Sequence, residues 1–74
     1  MVKATYNLNT INITAHPATF NKWWKEVCAS WVTSSAAKYV HIPRRVFGVY
    51  VIDANDDLKD CIDAIWNAVP EGWR

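Results

Sequence analysis

Residues 16–32 read HPATFNKWWKEVCASWV, and this stretch decides how so short a chain folds. His16-Pro17 closes whatever extended segment precedes it, because the residue before a proline avoids the α region. A helix is expected from about Ala18, with Thr19 as its N-cap and Pro17 just outside. Steps of about 100° per residue gather Phe20, Trp24, Val27 and Trp31 into one stripe. Trp23 falls on one shoulder of that stripe, and Cys28 and Val32 on the other. Lys22, Lys25, Glu26, Ala29 and Thr33 occupy the back. The apolar arc is therefore wider than one core contact requires, so something further is expected to touch this helix at its edges.

The rings matter because the chain is small. Seventy-four residues support one domain, 1–74, with one core. Five tryptophans change what that core can bury. Each fully buried indole removes on the order of 200 Å² from water, or about 5 kcal/mol gross. The composition, 51% hydrophobic and 20% charged with only two glycines and three prolines, is that of a folded chain without a low-complexity linker.

Before the helix, Val2, Ala4, Tyr6 and Leu8 alternate with Lys3, Thr5 and Asn7, the period of a half-buried strand. The parity then flips to Ile11 and Ile13, which marks Asn9-Thr10 as a bulge or a tight turn between two short strands. After the helix, Thr33-Ser34-Ser35 is a weak point, with Ala36-Ala37 in a last turn or a loop. Lys38 to Ile42 reads as a short strand, Pro43-Arg44-Arg45 as a turn, and Val46 to Ile52 as the strongest strand. That last run is apolar on both faces, as in a central strand covered on each side. A short connection makes the pair an antiparallel hairpin. Asn55 then caps a helix whose first turn holds Asp56 and Asp57. Leu58, Cys61, Ile62, Ile65, Trp66 and Val69 form its apolar face, and Pro70 and Gly72 end it. The fold class is α+β: two helices on one face of a small, mainly antiparallel sheet of three to four strands, in the order β(β)αββα.

Catalytic and metal chemistry find little support. Asp53-x-Asn55-x-Asp57 matches the opening of a calcium loop, but Leu58 stands where glycine makes the turn and Ala64 where a glutamate closes the cage. Capping and a solvated helix face account for these acids. Cys28 and Cys61 form no Cys-x-x-Cys pair and lie on apolar helical faces, which reads as two buried free thiols. Neither His16 nor His41 sits in a nucleophile motif with Cys28, and Ser30, Ser34 and Ser35 lack the Gly-x-Ser-x-Gly context. Asn12-Ile13-Thr14 is a glycosylation sequon by chance. The expectation is a non-enzyme without metal or cofactor. No apolar run reaches membrane length, and the first residues lack the apolar core of a secretory signal, so a cytoplasmic protein is expected.

Charge is split along the chain. Residues 1–45 set six cations (Lys3, Lys22, Lys25, Lys38, Arg44, Arg45) against Glu26, whereas residues 46–74 set Lys59 and Arg74 against six acids; the whole chain carries +1. Lys38, His41, Arg44 and Arg45, with Tyr39 and Phe47 among them, make a basic aromatic patch able to grip phosphates and stack bases. Its neutral reading is a solvated turn, and a pI of 7.8 is low for a dedicated nucleic-acid binder. Trp, Tyr and Arg also dominate protein interfaces. The candidate partner-binding residues are Trp23, Lys38, Tyr39, His41, Arg44, Arg45 and Trp73, those least required by the core. Trp23 stands out, because it adjoins Trp24 and neighbours on a helix point apart.

The expected function is docking onto a larger protein or protein complex. In size and style the chain is similar to inhibitors of host machinery encoded by phages and mobile elements, anti-CRISPR proteins among them, though no motif carries that likeness. A nucleic-acid-binding accessory role through the basic hairpin, and an obligate homo-oligomer, or a homodimer, with self-complementary apolar surface, are the alternatives.

Overall fold

Strands β1 (Lys3–Asn7) and β2 (Thr10–Thr14) form a hairpin that leads into helix α1 (Pro17–Ala29). A short helix α2 (Ser34–Tyr39), a second hairpin of β3 (Arg44–Val46) and β4 (Val49–Asp53), and helix α3 (Lys59–Asn67) follow. The computed structural model describes all residues, 1–74. The strands make one antiparallel sheet in the order β1-β2-β4-β3. The sheet and helices make an α+β fold of order ββααββα.

The parity flip near residue 9 resolves as a two-residue turn, Leu8-Asn9. Leu8 leaves the strand and takes a φ of 56°, so its side chain no longer continues the inward set. Register then aligns Ala4, Ile13 and Tyr50 across three strands, and Tyr6, Ile11 and Ile52 beside them. These point toward the helices. Directly paired residues share a face and neighbours alternate, so Thr5, Asn12, Val51 and Arg44 line the other face, which no helix covers. β4 is thus a central strand as its composition predicts, but only one of its faces is covered; Val49 and Val51 stay half-buried.

The tryptophan helix is rotated from the expected stripe. Its buried residues are Phe20, Trp23 and Val27, while Trp24 is half-buried against the same core. Phe20 stacks on Tyr50 with centroids 3.8 Å apart, which fastens α1 to the sheet. Trp23, 6% exposed, donates its indole N–H to the Ala68 carbonyl at 3.1 Å. A buried indole needs such a partner, and Ala68 supplies it from the turn that follows α3. Trp31, expected in the core, is 90% exposed. The helix stops two residues earlier, because Ser30 is extended (φ −69°, ψ 130°) and Thr33 donates its hydroxyl to the Val27 carbonyl at 2.6 Å. Hydroxyl side chains that bond to backbone in this way compete with the helical ladder.

Several local boundaries also differ from expectation. His16, not Thr19, is the N-cap: its Nδ1 accepts the Ala18 N–H at 3.1 Å, with Pro17 inside the helix rather than outside. Lys38 and Tyr39 end a helix instead of starting a strand. Arg44 and Arg45 belong to β3 rather than to a turn. The turn lies at Phe47-Gly48, inside the run that looked like one strand, with φ of 50° and 81°. Two successive positive φ values are what a tight hairpin of right-handed twist requires. Asn55 makes no side-chain cap, and a 3₁₀ turn, Asp56–Leu58, precedes α3. Cys28 is exposed rather than buried, and Cys61 is half-buried; both are free.

Trp23→Ala is expected to cost about 3–5 kcal/mol of folding stability, since it removes both volume and a bonded indole. Trp31→Ala is expected to change it by less than about 0.5 kcal/mol. Urea denaturation midpoints of the two variants read this directly, and equal losses would contradict the burial order.

Candidate functional site: the β3 edge

The sequence-predicted binding residues separate into two groups. Trp23 belongs to the core, and Trp73 packs half-buried against it edge-on at 5.6 Å. Both serve the closure of the C-terminal segment onto α1. Lys38, Tyr39, His41, Arg44 and Arg45, by contrast, are all exposed and fall on one continuous stretch. Phe47, read in the sequence as part of the basic aromatic patch, joins them, as do Ile42 and Val46, which sequence reasoning did not name as binding residues. The signal that could have found them is Gly48, whose place inside an apolar run marks a break. A break there frees Val46 and Phe47 from a central strand.

Lys38 and Tyr39 end α2, and from His41 onward the stretch runs along the outer edge of the sheet. β3 pairs only with β4, as Arg44 with Val51, Arg45 with Tyr50 and Val46 with Val49. Upstream, the His41 N–H donates to the Asp53 carbonyl at 2.9 Å. Two residues, Ile42 and Pro43, lie between His41 and Arg44, whereas only Ile52 lies between Val51 and Asp53. The pairing therefore bulges at Ile42-Pro43, and Ile42 is left 89% exposed. At the far end Phe47 is 102% exposed, with its backbone in the left-handed region. A bulky side chain costs about 1–2 kcal/mol there, and a fully exposed ring recovers none of it by burial.

The basic groups on this edge are held in place. Asp53 accepts from Arg44 Nη2 at 3.2 Å and pairs with His41 Nδ1 at 3.0 Å. Burial alone would raise the Asp53 carboxyl, but the hydrogen bonds from Arg44 and His41, aided by their charge, outweigh it and hold the group below its ordinary value. That engagement also removes Asp53 from the calcium-loop pattern. Arg45 leans over the Tyr50 ring, 5.7 Å from its centroid. Of the four basic residues expected to make a phosphate-gripping patch, two are thus paired with a carboxylate, while Lys38 and Arg45 are not.

A second polar cluster lies across the sheet. Tyr6 donates to Asp63, and Lys59 reaches Asp63 at 3.1 Å and the Tyr6 oxygen at 3.2 Å. Burial, then the bond to Asp63, push the Tyr6 hydroxyl up, so it stays protonated. The bond from Tyr6, then that from Lys59, hold Asp63 below its usual value. A protonated phenol bonded to a carboxylate ties β1 to α3; it is not poised as a nucleophile. Asn9 ties the same hairpin to Asp56 at 3.1 Å. Both edges of the sheet thus carry charges of both signs, Lys59 with Asp63 beside β1 and Arg44 with Asp53 beside β3.

Both Asp53 and Asp63 have lowered native pKa values. The unfolded chain therefore takes up protons at a pH where the native chain does not. The stability these groups supply is complete above the ordinary aspartate range and is lost as pH falls through their lower native values. Urea midpoints followed into acid are expected to fall less steeply for Asp53→Asn and Asp63→Asn than for the wild type; an unaltered acid limb in the double variant would contradict the assignment. Compared with models of known families, with curated proteins and with solved structures, the chain shows no significant match to any.

Proposed function

We propose that this protein is a non-enzymatic binding module that docks onto a larger protein through the stretch Lys38–Phe47. The exposure and backbone of Phe47 carry this reading: a fully exposed aromatic ring at the tip of a turn that asparagine or glycine would form more readily. Strain retained without a folding benefit points to use of that side chain elsewhere. Tyr39, Ile42 and Val46 add exposed apolar surface beside it, and arginines lie between them. Aromatic and arginine residues supply most interface hot spots. A docking protein this small acts by occupying a surface of its target, the mode of a small inhibitor. Pairing of His41 and Arg44 with Asp53 weakens the nucleic-acid alternative, because those cations are already partly compensated.

Phe47→Asn separates folding from function. Its side chain suits a positive φ, so the variant is expected to gain about 1 kcal/mol in stability. The same variant is expected to lose the complex that the wild type forms in lysate of the cells expressing it, while Trp31→Ala retains it. Urea denaturation and affinity capture with mass spectrometry read the two effects. A complex retained by Phe47→Asn and lost by Trp31→Ala would move the docking surface to the α1–α2 turn and sink this reading.

A further inference from the structure

We infer that the β3 edge takes an extended acidic segment of the partner protein as an added antiparallel strand; this rests on the docking reading above and gives it a mode. In an antiparallel hairpin, backbone groups of successive residues point alternately toward the partner strand and away from it. Val46 and Val49 close the two-residue turn, so Val46 and Arg44 bond inward to β4. The N–H and C=O of Arg45 consequently point outward, and no turn or loop group bonds to either. All three residues of β3 are exposed, so nothing in the chain covers this edge.

The charges choose the occupant. Between Lys38 and Tyr50 the chain has Lys38, Arg44 and Arg45 and no carboxylate. A second copy of β3 is a poor match. The register that uses the Arg45 N–H and C=O on both strands sets Arg45 directly opposite itself, and like charges in that position repel. Charged edge residues guard a sheet against such pairing, and the same charges favour an acidic strand. Arg45 is already oriented for it by the Tyr50 ring and has no carboxylate partner, whereas Arg44 is engaged by Asp53. Preorganised side chains lose little freedom on binding. An incoming antiparallel strand would place an acidic residue opposite Arg45 and an apolar one, immediately before it, opposite Val46. Main-chain bonds then supply affinity, and the paired side chains supply selectivity.

The test uses a displayed library of random heptapeptides panned on the purified intact chain, with the best binder then synthesised. Enriched sequences are expected to hold an acidic residue directly preceded by a β-branched one, the order that antiparallel pairing with Arg45 and Val46 requires. Arg45→Pro removes the outward N–H and leaves the β3–β4 ladder intact, as proline is tolerated on an edge. Arg45→Ala removes only the side chain. The synthesised peptide is expected to bind Arg45→Pro about tenfold more weakly than Arg45→Ala, the effect of a lost backbone bond. N-methylation of the peptide residue opposite Arg45 should weaken binding to the wild type similarly, which covers the case of an unfolded proline variant. Equal affinity for Arg45→Pro and Arg45→Ala, with no N-methyl effect, overturns strand addition. If Phe47→Asn still weakens that peptide, docking on Lys38–Phe47 survives alone. Enrichment of basic sequences, no enrichment at all, or tighter binding of a single-stranded oligonucleotide than of any peptide overturns the proposal.

Discussion

Phe20 lying flat on Tyr50 is the contact on which the rest of the molecule depends. It joins the first helix to the central strand through two rings, where short aliphatic side chains would not span the gap. Around it the aromatic series continues without a break, to Trp24 at 6.2 Å, to Trp23 at 5.8 Å, and from Trp23 to Trp73. On its other side Tyr50 carries the guanidinium of Arg45. A single run of rings thus passes from the C-terminal turn, through the core, to the outer edge of the sheet. Large rings bury the area that a chain of this length could not otherwise remove from water.

That arrangement puts the core tryptophans and the proposed docking edge in different places. Trp23 closes the core against Ala68, and Trp73 packs half-buried behind it. Two of the most exposed apolar side chains lie where the backbone departs from regular pairing. Ile42 sits at a bulge and Phe47 at a left-handed turn. Regular strands hide alternate side chains by their period of two, and each irregularity breaks that rule for one residue. Ile42 and Phe47 owe their exposure to these irregularities, whereas Arg44, Arg45 and Val46 owe theirs to the unpaired edge.

How far the sequence foretold this follows the same logic. The strand period over residues 2–8 and the apolar face of the last helix were legible, because each shows in spacing alone; the first hairpin was one of two open readings at Asn9-Thr10, and the second was foreseen with its turn at Pro43–Arg45 rather than at Phe47-Gly48. The rotation of α1 was not. Trp23 and Trp24 differ by one position, and the choice between them turned on whether an indole N–H found an acceptor 45 residues away. Nor was the early stop of α1, since Thr33 ends it through a bond to Val27 that a helical wheel does not represent. The break at Phe47-Gly48 was hidden by the β-branched residues around it, whose propensity outweighed one glycine. Of the candidate site, Lys38, Tyr39, His41, Arg44 and Arg45 were found as a charge-and-aromatic cluster, while Val46 was misplaced in a buried strand.

The account makes the β3 edge, rather than the tryptophan helix, the part of the molecule that meets a partner. Amide hydrogen exchange of the chain in complex with its captured partner, compared with the free chain, tests this most directly. The account predicts new protection concentrated at Arg45 and the residues flanking it, with the amides of α1 unchanged. Protection centred on residues 17–33 instead, with Arg45 exchanging as fast as in the free chain, would contradict it.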